Sequence, residues 1–285
     1  MATELKRKKP AADRESEPDR EPFELGWTDD ESEPGSYLFC GRPGAGKTKL
    51  ASTFPGVRLW INIDRGLRTV SDLHDPKVTI AGHKDLWMRM LRLAWAIADY
   101  DKPFNSLKGK LKTVILDDLS RLSRRMDMEV IDAPPDAEGR KEKGITDPLE
   151  AMRIQDYNTV GIRLTKIVNA FKDIPNVVFV ATMGVNYESD QRTGYMVDQP
   201  DATGRKLGPQ LTHYFDTVLF LSRDKDNFVA QVKPTKSFPY ARIRFVGDVP
   251  PKLPTRIATP TYKIIREIEL KQYNPDAYQT VEEID

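Results

Sequence analysis

Along this chain, apolar residues fall into short unbroken runs that alternate with longer stretches in which they recur at helical spacing. The runs Tyr37–Cys40, Val57–Ile63, Thr113–Leu116, Val177–Ala181 and Phe215–Leu221 have the length and β-branched or aromatic content of strands buried on both faces. Helices are predicted between them, over 84–99, 119–130 and 150–173. The first carries Trp87, Met90, Leu91, Ala94 and Ile97 on one face, and the last Val160, Leu164, Ile167, Val168 and Phe171. Such alternation predicts an α/β fold with a mostly parallel sheet flanked by helices. Val78–Ile80 is short enough for an edge strand. Towards the end, Phe228–Lys233 and Tyr240–Phe245 flank the turn-forming stretch Pro234–Pro239, which predicts a C-terminal antiparallel hairpin. A short terminal helix is expected over 261–271. Polar stretches at 102–112, 132–148 and 184–209 read as loops, and loops of the length of the last two are commonly functional.

The first run leads into chemistry. Tyr37–Cys40 ends at Gly41, and Gly41-Arg42-Pro43-Gly44-Ala45-Gly46-Lys47-Thr48 follows, with Lys49-Leu50-Ala51 opening a helix. Strand, glycine-rich turn, Lys-Thr and helix in this order form a phosphate-binding loop. The backbone of 42–47 cradles phosphates, Lys47 reaches the β and γ oxygens, and Thr48 holds Mg²⁺. Gly41 through Lys49 are therefore the candidate ATP-binding residues. The strand at 113–116 delivers Asp117 and Asp118 to the edge of the sheet where open α/β folds bind ligands. Asp117 is the candidate second Mg²⁺ residue, whereas Asp118 suits the cap of the following helix.

Composition narrows the setting. The chain has 285 residues, 39% of them hydrophobic, and no apolar run long enough to span a membrane. The charged N-terminus lacks the apolar segment of a secretory signal. Cys40 is the only cysteine, so neither an internal disulfide nor a cysteine metal cluster is expected, and a cytoplasmic location follows as the expectation. The net charge of +1 conceals a division. Residues 1–34 hold six Lys/Arg against eleven Asp/Glu and read as a disordered charged tail. Residues 276–285 carry four acids and no base, which leaves +10 on 35–275. A basic body suits a polyanion. The three domains expected are the tail 1–34, an ATPase core 35–248 and an extension 249–285 with a short helix and acidic end. His74, His83 and His213 are too scattered for a metal site.

Over Ser36–Asp248 the order of elements and several local strings resemble the ATPase core of RecA-like recombinases, and among them the minimal bacteriophage proteins that anneal single strands or exchange them. Trp60-Ile-Asn-Ile-Asp64-Arg-Gly-Leu67 is similar to the string whose glutamate activates the hydrolytic water, with Asp64 in the glutamate's place. Its shorter side chain predicts slow hydrolysis. The resemblance implies a γ-phosphate-sensing role for Thr182, although Met183 stands where the family has a glutamine. Thr203–Leu221 resembles the end of a DNA-binding loop with its helix and strand, which implies phosphate contacts from Arg192, Arg205 and Lys206. Val232–Tyr240 resembles the hairpin whose lysines, here Lys233 and Lys236, reach a neighbouring subunit's ATP.

The resemblance thus implies an ATP- and Mg²⁺-dependent, DNA-stimulated ATPase. It would assemble as a filament or ring on single-stranded DNA in phage recombination or replication, within the bacterial host's cytoplasm, with a single-strand-binding protein as a further candidate partner. A replicative helicase or helicase loader shares most of these motifs and stands as the alternative. A small-molecule kinase fits less well, since no acceptor lid is evident and the basic body favours a polymeric anion.

Overall fold

The computed structural model describes residues 35–63, 67–82, 84–132, 152, 154–189, 196–204, 206–225, 227–245, 254–270 and 272. The tails, Asp64, His83, Arg192, Arg205 and the stretch 133–151 lie outside the described residues. Ten strands are described: β1 (Ser36–Gly41), β2 (Val57–Asn62), β3 (Lys77–Thr79), β4 (Leu111–Asp117), β5 (Val178–Met183), β6 (Val185–Ser189), β7 (Met196–Pro200), β8 (Thr217–Asp224), β9 (Asn227–Gln231) and β10 (Arg256–Ala258). The helices are α1 (Lys47–Ala51), α2 (Leu86–Ala98), α3 (Leu119–Asp132), α4 (Ile154–Lys172), α5 (Leu207–Thr212) and α6 (Tyr262–Glu269). Eight strands form one sheet in the order β10-β9-β8-β1-β5-β4-β2-β3. Pairing is parallel from β8 across to β3 and antiparallel among β8, β9 and β10. β3 is an edge strand, as its length predicts.

The central strands are buried on both faces because helices cover both. Leu38 and Cys40 of β1, with Val114 and Leu116 of β4, point into a core shared with α2, α3 and α4. Tyr37, Phe39 and Ile115 point the other way, into a core with Leu50, Ala51 and Phe54 around α1 and with Ile264, Ile265 and Ile268 of α6. Strand period and helical period therefore meet on each face, which is what ties the predicted elements into a single layered body.

The antiparallel hairpin exists, but its arms differ from those the sequence suggests. β9 pairs with β8, Asn227 facing Asp224, and not with Tyr240–Phe245. β8 runs past Leu221 to Asp224, and Lys225 takes φ 53°, so a tight turn returns the chain at once. The other edge of β9 is taken by β10. Among the described residues, the segment 240–245 pairs with β8 through the isolated bridge Val218–Arg242. With both edges of β9 occupied, 240–245 has no free edge there to pair with.

The long polar stretch after β5 is likewise structured: β6 and β7 form an antiparallel ribbon, and α5 follows. Gly208 permits this arrangement, because a Cβ there would lie 1.8 Å from the Pro200 carbonyl oxygen. The region beyond 248 is less separate than expected. β10 extends the main sheet, and Ile257 and α6 belong to the core around the phosphate loop.

A buried polar cluster fastens α6. Glu269, 5% exposed, accepts hydrogen bonds from Tyr37 Oη at 2.9 Å, Thr217 Oγ1 at 2.9 Å and Arg266 Nη1 at 3.0 Å. Burial raises the Glu269 carboxyl, and these three donors oppose that shift. Replacing Glu269 by Ala leaves the donors of β1 and β8 buried without an acceptor. The expected loss is about 3 kcal/mol of unfolding free energy, read by urea denaturation. Tyr37→Phe, which removes one donor and leaves the carboxylate its other two, is expected to cost about 1 kcal/mol in the same assay.

Candidate nucleotide-binding site

β1 delivers its C-terminal end to the middle of the sheet, and the loop 42–46 turns there into α1. Ala45 N donates to Arg42 O at 3.1 Å and Leu50 N to Gly46 O at 2.8 Å, closing the turn and starting the helix. Gly46 has φ 90°, and a Cβ on it would lie 2.6 Å from the Phe228 ring. No residue but glycine fits between that ring and the turn. Lys47 Nζ donates to Gly41 O at 2.7 Å and Arg42 O at 3.3 Å, so the ammonium sits over the mouth of the loop.

Asp117, 9% exposed, faces this loop from the end of β4. Its Oδ2 accepts from Thr48 Oγ1 at 3.3 Å and its Oδ1 from Thr182 Oγ1 at 2.5 Å. Three expected site residues, Thr48, Asp117 and Thr182, thus meet at one carboxylate, with Lys47 on the same loop. Asp118, joined to Asp117 by a cis peptide, points differently: its Oδ1 accepts from Arg121 N at 3.1 Å and caps α3. Burial raises the Asp118 carboxyl, and the neighbouring Asp117 charge adds to the rise.

These residues fit a magnesium nucleotide. Thr48 hydroxyl and Asp117 carboxylate are the hard oxygen donors that Mg²⁺ takes, and the glycine turn leaves backbone N–H groups and Lys47 for phosphate oxygens. Among the described residues there is no cluster of three or more His, Cys, Asp or Glu that would hold a metal by protein ligands alone.

Several polar residues that the sequence reading passed over join this site to the ribbon. Ser120 Oγ donates to Asp201 O at 2.5 Å and accepts from Gly184 N at 2.9 Å, pinning both ends of the ribbon to α3. Arg124 Nη2 reaches Asp201 Oδ2 at 2.8 Å. One turn on, Thr203 N donates to Ser123 Oγ at 3.0 Å, and Thr203 Oγ1 donates to Asp127 Oδ2 at 2.6 Å. At its other side the ribbon meets the phosphate loop, where Arg42 Nη2 lies 3.8 Å from Asp198 Oδ1. Asp198 N also donates to Ser237 O at 3.0 Å, so the segment bearing Lys233 and Lys236 packs against the ribbon. Serines and an aspartate at i, i+3 and i+7 of α3 were the available signal, since a polar stripe on a core-facing helix needs partners.

A cleft of about 970 Å³ opens between α4 and α5 and shares no residue with the phosphate loop. Lys206 lines it, together with Lys166, Tyr157, His213 and Tyr214, and none of its lining residues is acidic. Of the other residues expected to contact DNA, Arg192 and Arg205 lie outside the described residues, as does the expected base Asp64.

Asp127 is 2% exposed, and burial pushes its carboxyl up to about 6 against the opposing Thr203 bond and Arg124 charge. The folded state therefore holds a proton that the unfolded state releases between about pH 4 and 6. Stability contributed by this group is present below pH 4 and is lost as pH rises through 6. In Asp127→Asn that descent is expected to flatten, by on the order of 2 kcal/mol between the two ends, in denaturation curves collected from pH 4 to 7.

Comparison with known proteins places these features. An ATPase from the type III secretion system of pathogenic bacteria is similar over 66% of this chain, at 14% identity and a TM-score of 0.37. The match covers 51% of that ATPase, so this chain spans about half its length. No curated protein matches the sequence. The family of the AAA domain matches residues 33–245, which takes in the phosphate loop, Asp117, the ribbon and the strands through β9. The chain belongs to the AAA domain family of P-loop ATPases.

Proposed function

We propose that this P-loop ATPase binds single-stranded DNA, assembles on it and promotes annealing or strand exchange, with hydrolysis stimulated by the DNA. The observation that carries the reading is the cleft between α4 and α5. It offers two lysines and three aromatic rings with no carboxylate, the chemistry that a strand of phosphates and stackable bases requires. Thr203 on its wall is tied through Ser123 and Asp127 to the helix that Asp118 caps. An occupant of the cleft would therefore act on the element that follows the Mg²⁺ carboxylate. Tyr187, 57% exposed on β6, offers a further stacking face.

In this reading Lys47 and Thr48 hold the nucleotide and Mg²⁺ with Asp117, Asp64 takes the proton of the attacking water, and Thr182 reads the γ-phosphate through Asp117. Lys233 and Lys236 stabilise a neighbouring subunit's phosphates, and Arg192, Arg205 and Lys206 hold DNA phosphates. The ATPase rate measured with and without single-stranded DNA tests the whole: an unchanged rate counts against it and favours a loader or kinase.

Two sharper outcomes follow. Lys166→Ala with Lys206→Ala should leave ATP binding intact and flatten the salt dependence of DNA binding by about 1.4 in the log–log slope, two contacts at roughly 0.7 each. Equilibrium titrations at several salt concentrations read that slope. For the shared phosphates, subunits lacking Lys47 and subunits lacking Lys233 and Lys236 should each be inactive, yet recover part of the rate when mixed on DNA. A mixture that co-assembles without recovery removes the lysines from the mechanism.

A further inference from the structure

Asn62 ends β2, directly opposite Asp117 in the parallel ladder. Leu59 and Ile61 of that strand point into the core of α2–α4, and Trp60 points into the core around α1. By the same alternation Asn62 lies on the α1 face, the face that carries the Asp117 side chain. The next strand over puts Thr182 one step beyond the Leu116–Ala181 pair, on the same face again. Asn62, Asp117 and Thr182 therefore form a lateral row of polar side chains across three strands, at the edge where the phosphate loop sits.

The row is unevenly satisfied. Thr182 and Thr48 both donate to Asp117. Asn62 is only 5% exposed, and its Oδ1 is buried without a hydrogen-bond donor. A buried amide oxygen of this kind destabilises the fold unless something supplies a proton. Its neighbour in the row is Asp117, which with Thr48 fits Mg²⁺, an ion that keeps several waters when it binds and whose waters are strong donors.

We infer that Asn62 is a positioning residue for the magnesium site: its Oδ1 accepts a hydrogen bond from a water of the ion's coordination sphere and so fixes the ion beside Asp117. The inference rests on the magnesium–nucleotide reading of the loop. Asn62 does not touch the nucleotide, and its contribution lies in ion affinity, not in phosphate binding. In the absence of the ion the same amide is a liability, which gives the assignment a signature that a packing residue lacks.

The test titrates Mg²⁺ against protein saturated with a non-hydrolysable ATP analogue, with thermal unfolding as the readout, for the wild type, Asn62→Leu and Asn62→Asp. Asn62→Leu keeps the branched shape of the side chain and removes the unpaired oxygen. Its midpoint without Mg²⁺ should equal or exceed that of the wild type, while its half-saturating Mg²⁺ concentration rises about tenfold. Analogue affinity in EDTA should not change. Asn62→Asp keeps an acceptor and adds charge, so its midpoint without the ion should fall and its half-saturation should match or undercut the wild type. Wild-type half-saturation in Asn62→Leu overturns the assignment, as does an equal loss of analogue affinity with and without Mg²⁺. If Asn62→Leu yields no folded protein, Asn62→Ala carries the same titration under the same criteria. A wild type whose midpoint ignores Mg²⁺ overturns the nucleotide-site reading itself, and the Asn62 assignment with it.

Discussion

One carboxylate organises the molecule. Asp117 accepts a hydroxyl hydrogen bond from α1 on one oxygen and from β5 on the other, and so closes the gap between the phosphate loop and the strand beside it. Donors on separate oxygens fix the orientation of this carboxylate toward the glycine-rich turn, where a hard oxygen donor suits Mg²⁺. The surrounding sheet exists to hold this geometry. Strands buried on both faces cannot shift register without moving an entire apolar set, so the ends of β1, β4 and β5 stay level. Asp117 and Thr182 stay level with them, and α1 holds Thr48 opposite.

From that carboxylate the connections run outward through α3. Asp118 caps the helix, Ser120 pins both ends of the ribbon, and Ser123 and Asp127 hold Thr203 at the edge of the cleft. The contacts of Thr203 with Ser123 and Asp127 are buried, so Thr203 cannot leave α3 without breaking polar bonds shielded from water. Arg42 and Asp198 form a second, looser link between ribbon and loop. The nucleotide site and the cleft are thus joined by hydrogen bonds along one helix.

Much of this was legible in the sequence because it depends on local pattern. The phosphate loop, the strand ending in Asp117 and the helices α2 to α4 each announce themselves within a few residues, through glycine spacing or apolar period. What escaped depends on partners distant in the chain. The ribbon of β6 and β7 has little apolar alternation, and its stability comes from α3 through Ser120 and Asp201. The pairing of β9 was misread because Tyr240–Phe245 looks like a strand, and the sequence does not reveal that β8 continues to Asp224 and turns at Lys225. Asn62 stands as one polar letter in Trp60-Ile-Asn-Ile63, and only its place opposite Asp117 gives it meaning.

The ring of Phe228 lies against Gly46, so the rear wall of the phosphate loop is made by β9. The loop segment leaves the ribosome early and its wall arrives late, after β5, the ribbon and β8 have been made. During synthesis the glycine turn has nothing to lean on until the hairpin of β8 and β9 folds back over it. A nascent product cut short before β9 therefore carries the whole motif without the surface that shapes it.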